Sequence, residues 1–169
     1  MAARGATARP AENDPAPRAM PVVAAHLMRR GGFSLSLVRS RDLSPAEQAL
    51  PDHRQRVGLQ IRDCPLDRRD RQKLIDQATA PADRRLVIAH LGRLAKLIRA
   101  TREDAADWEG LIRVFTDKIA GHYPAAAVIA VLEDWPDHNR FWPAWCDLKS
   151  RLERESRVLK SLCRQLGSL

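Results

Sequence analysis

Aromatic side chains make up only 5% of the 169 residues, and cysteine is scarcer still: Cys64, Cys146 and Cys163 stand far apart and form no C-x-x-C pair. An odd, scattered set of thiols excludes a disulfide framework and a ribbon-type metal site, and it fits a reducing, cytoplasmic setting. No apolar run approaches the roughly 20 residues needed to cross a bilayer, so a soluble protein with no membrane partner is expected. Arg29 and Arg30 precede Gly31, Gly32 and Phe33 as in a twin-arginine signal, but the apolar stretch beyond them is too short and no small-residue cleavage site follows. Export is not expected.

Catalytic signatures are missing as well. The chain has no G-x-x-x-x-G-K-[ST], no G-x-G-x-x-G and no G-x-S-x-G, and so lacks both the glycine loops that cradle phosphates and the turn that presents a nucleophilic serine. His122, His138, Cys146 and Cys163 are the only histidines and cysteines close enough in sequence to imagine as four ligands, and their spacing matches no metal pattern. Glu133, Asp134 and Asp137 cluster near the expected C-terminus of a helix, where the dipole disfavours anions, and read as a solvated turn. The expectation is a non-enzymatic binding protein with no cofactor and no metal.

Charge is what the chain has in plenty. Its formal net charge is +8 and its sequence pI is near 10.2, which favours an acidic partner such as nucleic acid, an anionic surface or an acidic protein. The charge is polarised: residues 1–80 carry 14 Lys/Arg against 9 Asp/Glu, whereas residues 123–142 carry 1 against 3. The densest cationic run is "RRDRQK", with Arg68, Arg69, Arg71 and Lys73 interrupted by Asp70. These four residues, with Arg93 and Lys96 on the next helix, are the candidate nucleic-acid contacts; a solvated helix face is the plainer reading of the same run.

Residues 1–57 hold most of the prolines and no sustained helical period. Such a segment buries too little apolar area to offset chain entropy, so a mostly disordered tail is expected there and a helical domain over 58–169. Two features interrupt the tail. Phe33, Leu35 and Leu37 alternate as a strand would, either as a segment that docks on a partner's sheet or as an apolar scrap. "SPAEQAL" begins with a capping serine and a proline suited to a first helical position.

Beyond Leu59 the apolar period is helical, and no convincing strand run is seen after residue 40. "CPLDRRDRQKLIDQA" reads as a strongly basic turn or helix carrying Leu66, Leu74 and Ile75. Val87, Leu91, Leu94 and Ile98 form one stripe opposite Arg85, Arg93, Lys96 and Arg99. "TRED", residues 101–104, reads as a cap for a helix that buries Trp108, Leu111, Ile112, Phe115 and Ile119 and stops at Gly121. Pro124 starts the next helix, with Val128, Val131, Leu132 and Trp135 inward, and Pro136 ends it. After a turn, Pro143 starts a last helix whose seam is Trp145, Leu148, Leu152, Leu159, Leu162 and Leu166, with Glu155 the one seam position that is not apolar. The fold class expected is all-α, a small bundle of four or five helices. The seam at 145–166 is also a candidate surface for homo-oligomerisation.

The scarce aromatics gather in one place: Tyr123, Trp135, Phe141, Trp142 and Trp145 fall between His122 and Glu153. Large side chains with few rotatable bonds, beside prolines, can fix the angle between two helices. Trp135 and Trp145 read as core, whereas Trp142, between a turn and Pro143, reads as the better candidate for a partly exposed contact.

The set Tyr123-Pro124, Trp135-Pro136, Phe141-Trp142-Pro143, Trp145 and Leu148 resembles the helical module of phage and prophage replicative-helicase loader/inhibitor proteins, over about residues 81–153. The resemblance implies an accessory protein of DNA replication that binds a replicative helicase, with Phe141, Trp142 and Tyr123 as candidate contacts. A DNA-binding regulator of mobile-element origin and a self-associating assembly protein are the alternatives.

Overall fold

A computed structural model of the chain describes residues 20–50, 58–99 and 107–169. In chain order these form α1 (Val22–Gly31), β1 (Ser34–Val38), a 3-10 turn (Ser40–Asp42), α2 (Pro45–Gln48), β2 (Gly58–Asp63), α3 (Arg68–Thr79), α4 (Arg84–Arg99), α5 (Trp108–Ile119), α6 (Ala125–His138) and α7 (Trp145–Ser168). The fold is mostly helical, with seven α-helices among the described residues rather than four or five, and it contains a small antiparallel sheet.

Local chemistry accounts for most element boundaries. The Ser44 hydroxyl accepts from the Glu47 N–H while the Glu47 carboxylate accepts from the Ser44 N–H, a reciprocal cap on α2. Asp67 and Asp107 cap α3 and α5, accepting from the N–H groups of Asp70 and Gly110 at 2.8 Å each. The cap expected at residues 101–104 lies outside the described residues. Gly121, at φ 76°, closes α5 as expected. Two prolines behave differently from expectation. Pro124 is the residue before α6, and Pro136 lies inside that helix, which runs on to His138 because the Asn139 N–H reaches the Trp135 carbonyl at 2.9 Å.

The N-terminal segment corrects the sequence reading most. Val23, Ala24, Leu27 and Phe33 are buried in a core with Leu74, Ala78, Leu159, Leu162 and Leu166, so residues 22–38 belong to the fold and not to a tail. At Gly32, φ 64° turns the chain back, and its N–H caps α1 by donating to the Met28 carbonyl at 2.8 Å. Gly31 has no room for a side chain, since a Cβ there would meet the Phe33 ring at 2.6 Å. The alternation at Phe33, Leu35 and Leu37 does mark a strand, and its partner is inside the chain. Leu35 faces Ile61 and Leu37 faces Leu59 across an antiparallel pair, so Gly58–Asp63 is a strand where none was expected. Leu59 and Ile61 alternate with Gln60 and Arg62, a run too short to stand out beside the helical patterns that follow it.

Two apolar clusters share α6 and α7. Ala126, Ala127 and Ala130 of α6 and Leu159, Leu162 and Leu166 of α7 pack with α1, α3 and the sheet. Val128, Val131, Leu132 and Trp135 of α6 and Leu148 and Leu152 of α7 pack with α4 and α5. Between the two leucine groups of α7 lies Glu155, whose side chain is 0% exposed. One of its oxygens accepts from the Val23 N–H at 3.1 Å and the other from the Arg154 guanidinium at 3.0 Å. The polar seam position is therefore a clamp: a carboxylate set against the unpaired N–H groups at the start of α1, where the helix dipole favours it. The leucines of the 145–166 seam are all buried by this intramolecular packing, so the surface expected for homo-oligomerisation is closed.

Candidate partner-binding corner and basic surfaces

The turn from α6 to α7 is pinned by the Trp135 indole N–H, which donates to the Phe141 carbonyl at 3.0 Å. Held this way, the two residues before Pro143 point in opposite directions. Trp142 enters the core, its ring centroid 5.3 Å from that of Trp108 and 5.4 Å from that of Phe115, edge to face in both cases. Phe141 is 68% exposed. Trp142, expected as a partly exposed contact, is partly buried against α5, and its neighbour Phe141 is the more exposed of the two.

Cations complete the corner. The Lys118 ammonium lies 4.9 Å from the Trp145 ring centre, and the Arg151 guanidinium lies 5.7 Å from that of Trp135. Arg151 also pairs with Asp134, which His138 approaches at 3.1 Å, while Glu133 lies 3.8 Å from Arg93. The acidic group is thus distributed among separate cations. Among the described residues no three His, Cys, Asp or Glu side chains are gathered as a metal site, and His122, His138, Cys146 and Cys163 stay apart. Cys163 is buried, and burial pushes its thiol up to about 11, which keeps it protonated and unreactive.

Tyr123 does not join Phe141 and Trp142. It lies at the other end of α6, which spans about 20 Å, in an open cleft of about 520 Å³. Two turns are stitched together there: Ala82 N–H donates to the Tyr123 carbonyl, Gly121 N–H to the Ala82 carbonyl and Ala125 N–H to the Ala80 carbonyl, at 2.8 to 2.9 Å. Burial and the Glu153 carboxylate raise the Tyr123 phenol above its usual range, so it keeps its proton. The opposite wall is α7, with Arg157 and Lys160 beside the Ser156 hydroxyl, which is buried without a hydrogen-bond partner. Sequence reasoning missed Arg157 and Lys160. Their three-residue spacing, continued by Arg164 on the side of α7 away from the leucine seam, is the signal that could have found them.

The candidate nucleic-acid contacts divide between two helices. Arg68, Arg69 and Lys73 line an open hollow of about 540 Å³ on the outer side of α3. Arg71 is turned inward and donates to the Leu66 carbonyl at 2.9 Å, so it holds the loop before α3 rather than facing solvent with the others. Lys73 is paired with Asp70 at 3.1 Å. Arg93 and Lys96 lie on α4, which packs against α5 and α6, whereas α3 packs against α7. Arg68, Arg69, Lys96, Arg157 and Lys160 are exposed and have no carboxylate partner among the described residues.

No family model matches the chain, and no curated protein or solved structure matches it either. Among the described residues, no helix is long and apolar enough to cross a membrane.

Proposed function

We propose that the protein is a non-enzymatic accessory protein of DNA replication, of the phage and prophage helicase loader/inhibitor kind, that engages a replicative helicase through the corner between α6 and α7. The observation that carries this reading is the exposure of Phe141 on a turn fixed by the Trp135 indole and wedged by Trp142. An exposed aromatic on a rigid support loses little entropy on binding, and this is the character of an interface anchor. Such a protein needs no nucleotide site, since binding one conformation of its partner better than another is enough to shift it.

The test is a titration of the full chain against the replicative helicase of its host. Phe141→Ala should weaken binding about 30-fold, corresponding to about 2 kcal/mol for an anchor, with an unchanged melt. Equal affinity of the variant and the parent would remove the corner from the interface.

A second reading, direct nucleic-acid binding, is favoured by Arg68 and Arg69 on α3 and by Arg157 and Lys160 on α7, all exposed and without a carboxylate partner among the described residues. Binding to duplex and single-stranded DNA should then weaken steeply as salt rises, and Arg68→Glu with Arg69→Glu should flatten that dependence. Absence of binding at low ionic strength would leave these cations as a solvated surface.

A further inference from the structure

The small sheet has two edges, and the fold treats them differently. On the outer edge of β2, the Gln165 side chain acts as a substitute strand: its amide donates to the Leu59 carbonyl at 2.8 Å and accepts from the Ile61 N–H at 3.0 Å. These two bonds fix the parity of the ladder. If the peptide groups of Leu59 and Ile61 point away from β1, those of their opposite numbers, Leu37 and Leu35, point away from β2. No described residue hydrogen-bonds to the outward N–H and C=O groups of Leu35 and Leu37. The ladder is irregular between Ser34 and Leu35, and the Arg62 guanidinium of β2 donates to the Ser36 hydroxyl, but the strand's own residues carry little protection. Ser34–Val38 reads SLSLV, with no proline and no charge.

We propose that β1 is a self-pairing edge through which two copies of this chain form an antiparallel dimer centred on Ser36. The strand is complementary to itself in one register. With a two-fold axis at Ser36, Leu35 of one copy faces Leu37 of the other, and the outward N–H and C=O groups of each leucine meet those of its partner. The same register places Leu37, 51% exposed in the single chain, beside Leu35, whose side chain already packs on the core with Leu59 and Ile61. The apolar strip then continues across both copies. A slip by one residue sets leucine against serine and loses that continuity, so the alternation specifies the register. Each copy carries a formal charge of +8, so the dimer tightens as salt screens the repulsion. Nucleic-acid binding would respond to salt in the opposite sense.

The experiment uses the full chain with Cys64→Ser and Cys146→Ser, which leaves only the buried Cys163. Sedimentation equilibrium at high salt should show the mass doubling with concentration, and the Leu35 and Leu37 amides should gain protection from exchange in step with it. Under mild oxidation Ser36→Cys should cross-link two copies, because residues facing each other across the axis approach to about 4.5 Å, within disulfide reach. Val38→Cys, which faces Ser34 of the other copy, should not cross-link. Leu37→Lys should keep the monomer's circular dichroism and melt while abolishing the mass increase. A chain that stays monomeric at every concentration, or one that dimerises equally well with Leu37→Lys, overturns the proposal. Cross-linking through Val38→Cys as readily as through Ser36→Cys overturns the register.

Discussion

The two apolar clusters are built on different principles. The cluster around α4 and α5 is made of wide stripes, Val87, Leu91, Leu94 and Ile98 against Phe115, Ile119, Val131 and Leu132, closed at one end by tryptophans. The cluster around α1 and the sheet relies on alanines, namely Ala24, Ala78, Ala126, Ala127 and Ala130, and on close approach at Gly31. It is tied down by side-chain amides and carboxylates, with Gln165 on β2 and Glu155 on α1. Large side chains announce themselves by period; small ones and polar clamps do not. The comparison also assigns α6 its role, since its alanine face serves one cluster and its Val/Leu/Trp face the other.

Removing the N-terminal segment should break the comparison most severely. A fragment beginning at Gly58 loses Val23, Leu27 and Phe33, each worth about 1.5–3 kcal/mol of burial, against a typical total stability of about 5–15 kcal/mol. It should melt without a cooperative transition and bind a hydrophobic dye. A sharp, full-amplitude melt would show that the stripe-built cluster stands alone.

Within the stripe-built cluster, Trp142→Ala should cost about 3 kcal/mol by denaturant titration, because it vacates the space between Trp108 and Phe115. Trp145→Ala should cost less, its ring having one aromatic neighbour and Lys118 above it. Within the clamp-built cluster, Glu155→Ala should cost about 2 kcal/mol by leaving the buried Val23 N–H unsatisfied. Glu155→Gln, which keeps an acceptor there, should recover part of that. If the two substitutions are equivalent in urea melts, the carboxylate contributes packing only.

A smaller effect should appear in acid. His26 on α1 and His90 on α4 lie near Glu133 of α6, and burial lowers both below the usual histidine range. Arg30 and Arg29 near His26, and Arg93 near His90, push the same way, while Glu133 opposes them. With the folded values depressed, the unfolded chain takes up protons first. This contribution to stability is complete above about pH 6.5 and is lost as pH falls from there through the folded values. The melting temperature should fall on going from about pH 7.5 to about pH 5.5, and His26→Gln with His90→Gln should reduce that fall. Smallest of all is Phe141→Ala, which should change stability by less than about 0.5 kcal/mol, as for most exposed positions.

The sequence by itself determined the helical stripes of α4 to α7, the caps at Ser44 and Gly121, and the gathering of scarce aromatics at one corner. In each case the signal is local, a period of three and four residues or a residue whose backbone or side-chain chemistry fits one place. It marked Glu155 as an anomaly and the Leu35 alternation as a strand without saying what either one meets. Those answers are long-range: Val23 lies 132 residues from Glu155, and Leu59 lies 106 from Gln165. α1 has ten residues, too short to be stable alone, and forms because α6 and α7 offer it an apolar surface and an anion at its N-terminus. The outward placement of Phe141 and the inward placement of Trp142 were likewise decided by a tertiary bond, the Trp135 indole to a backbone carbonyl, since adjacent residues in an extended turn face opposite ways and only packing chooses which way is in.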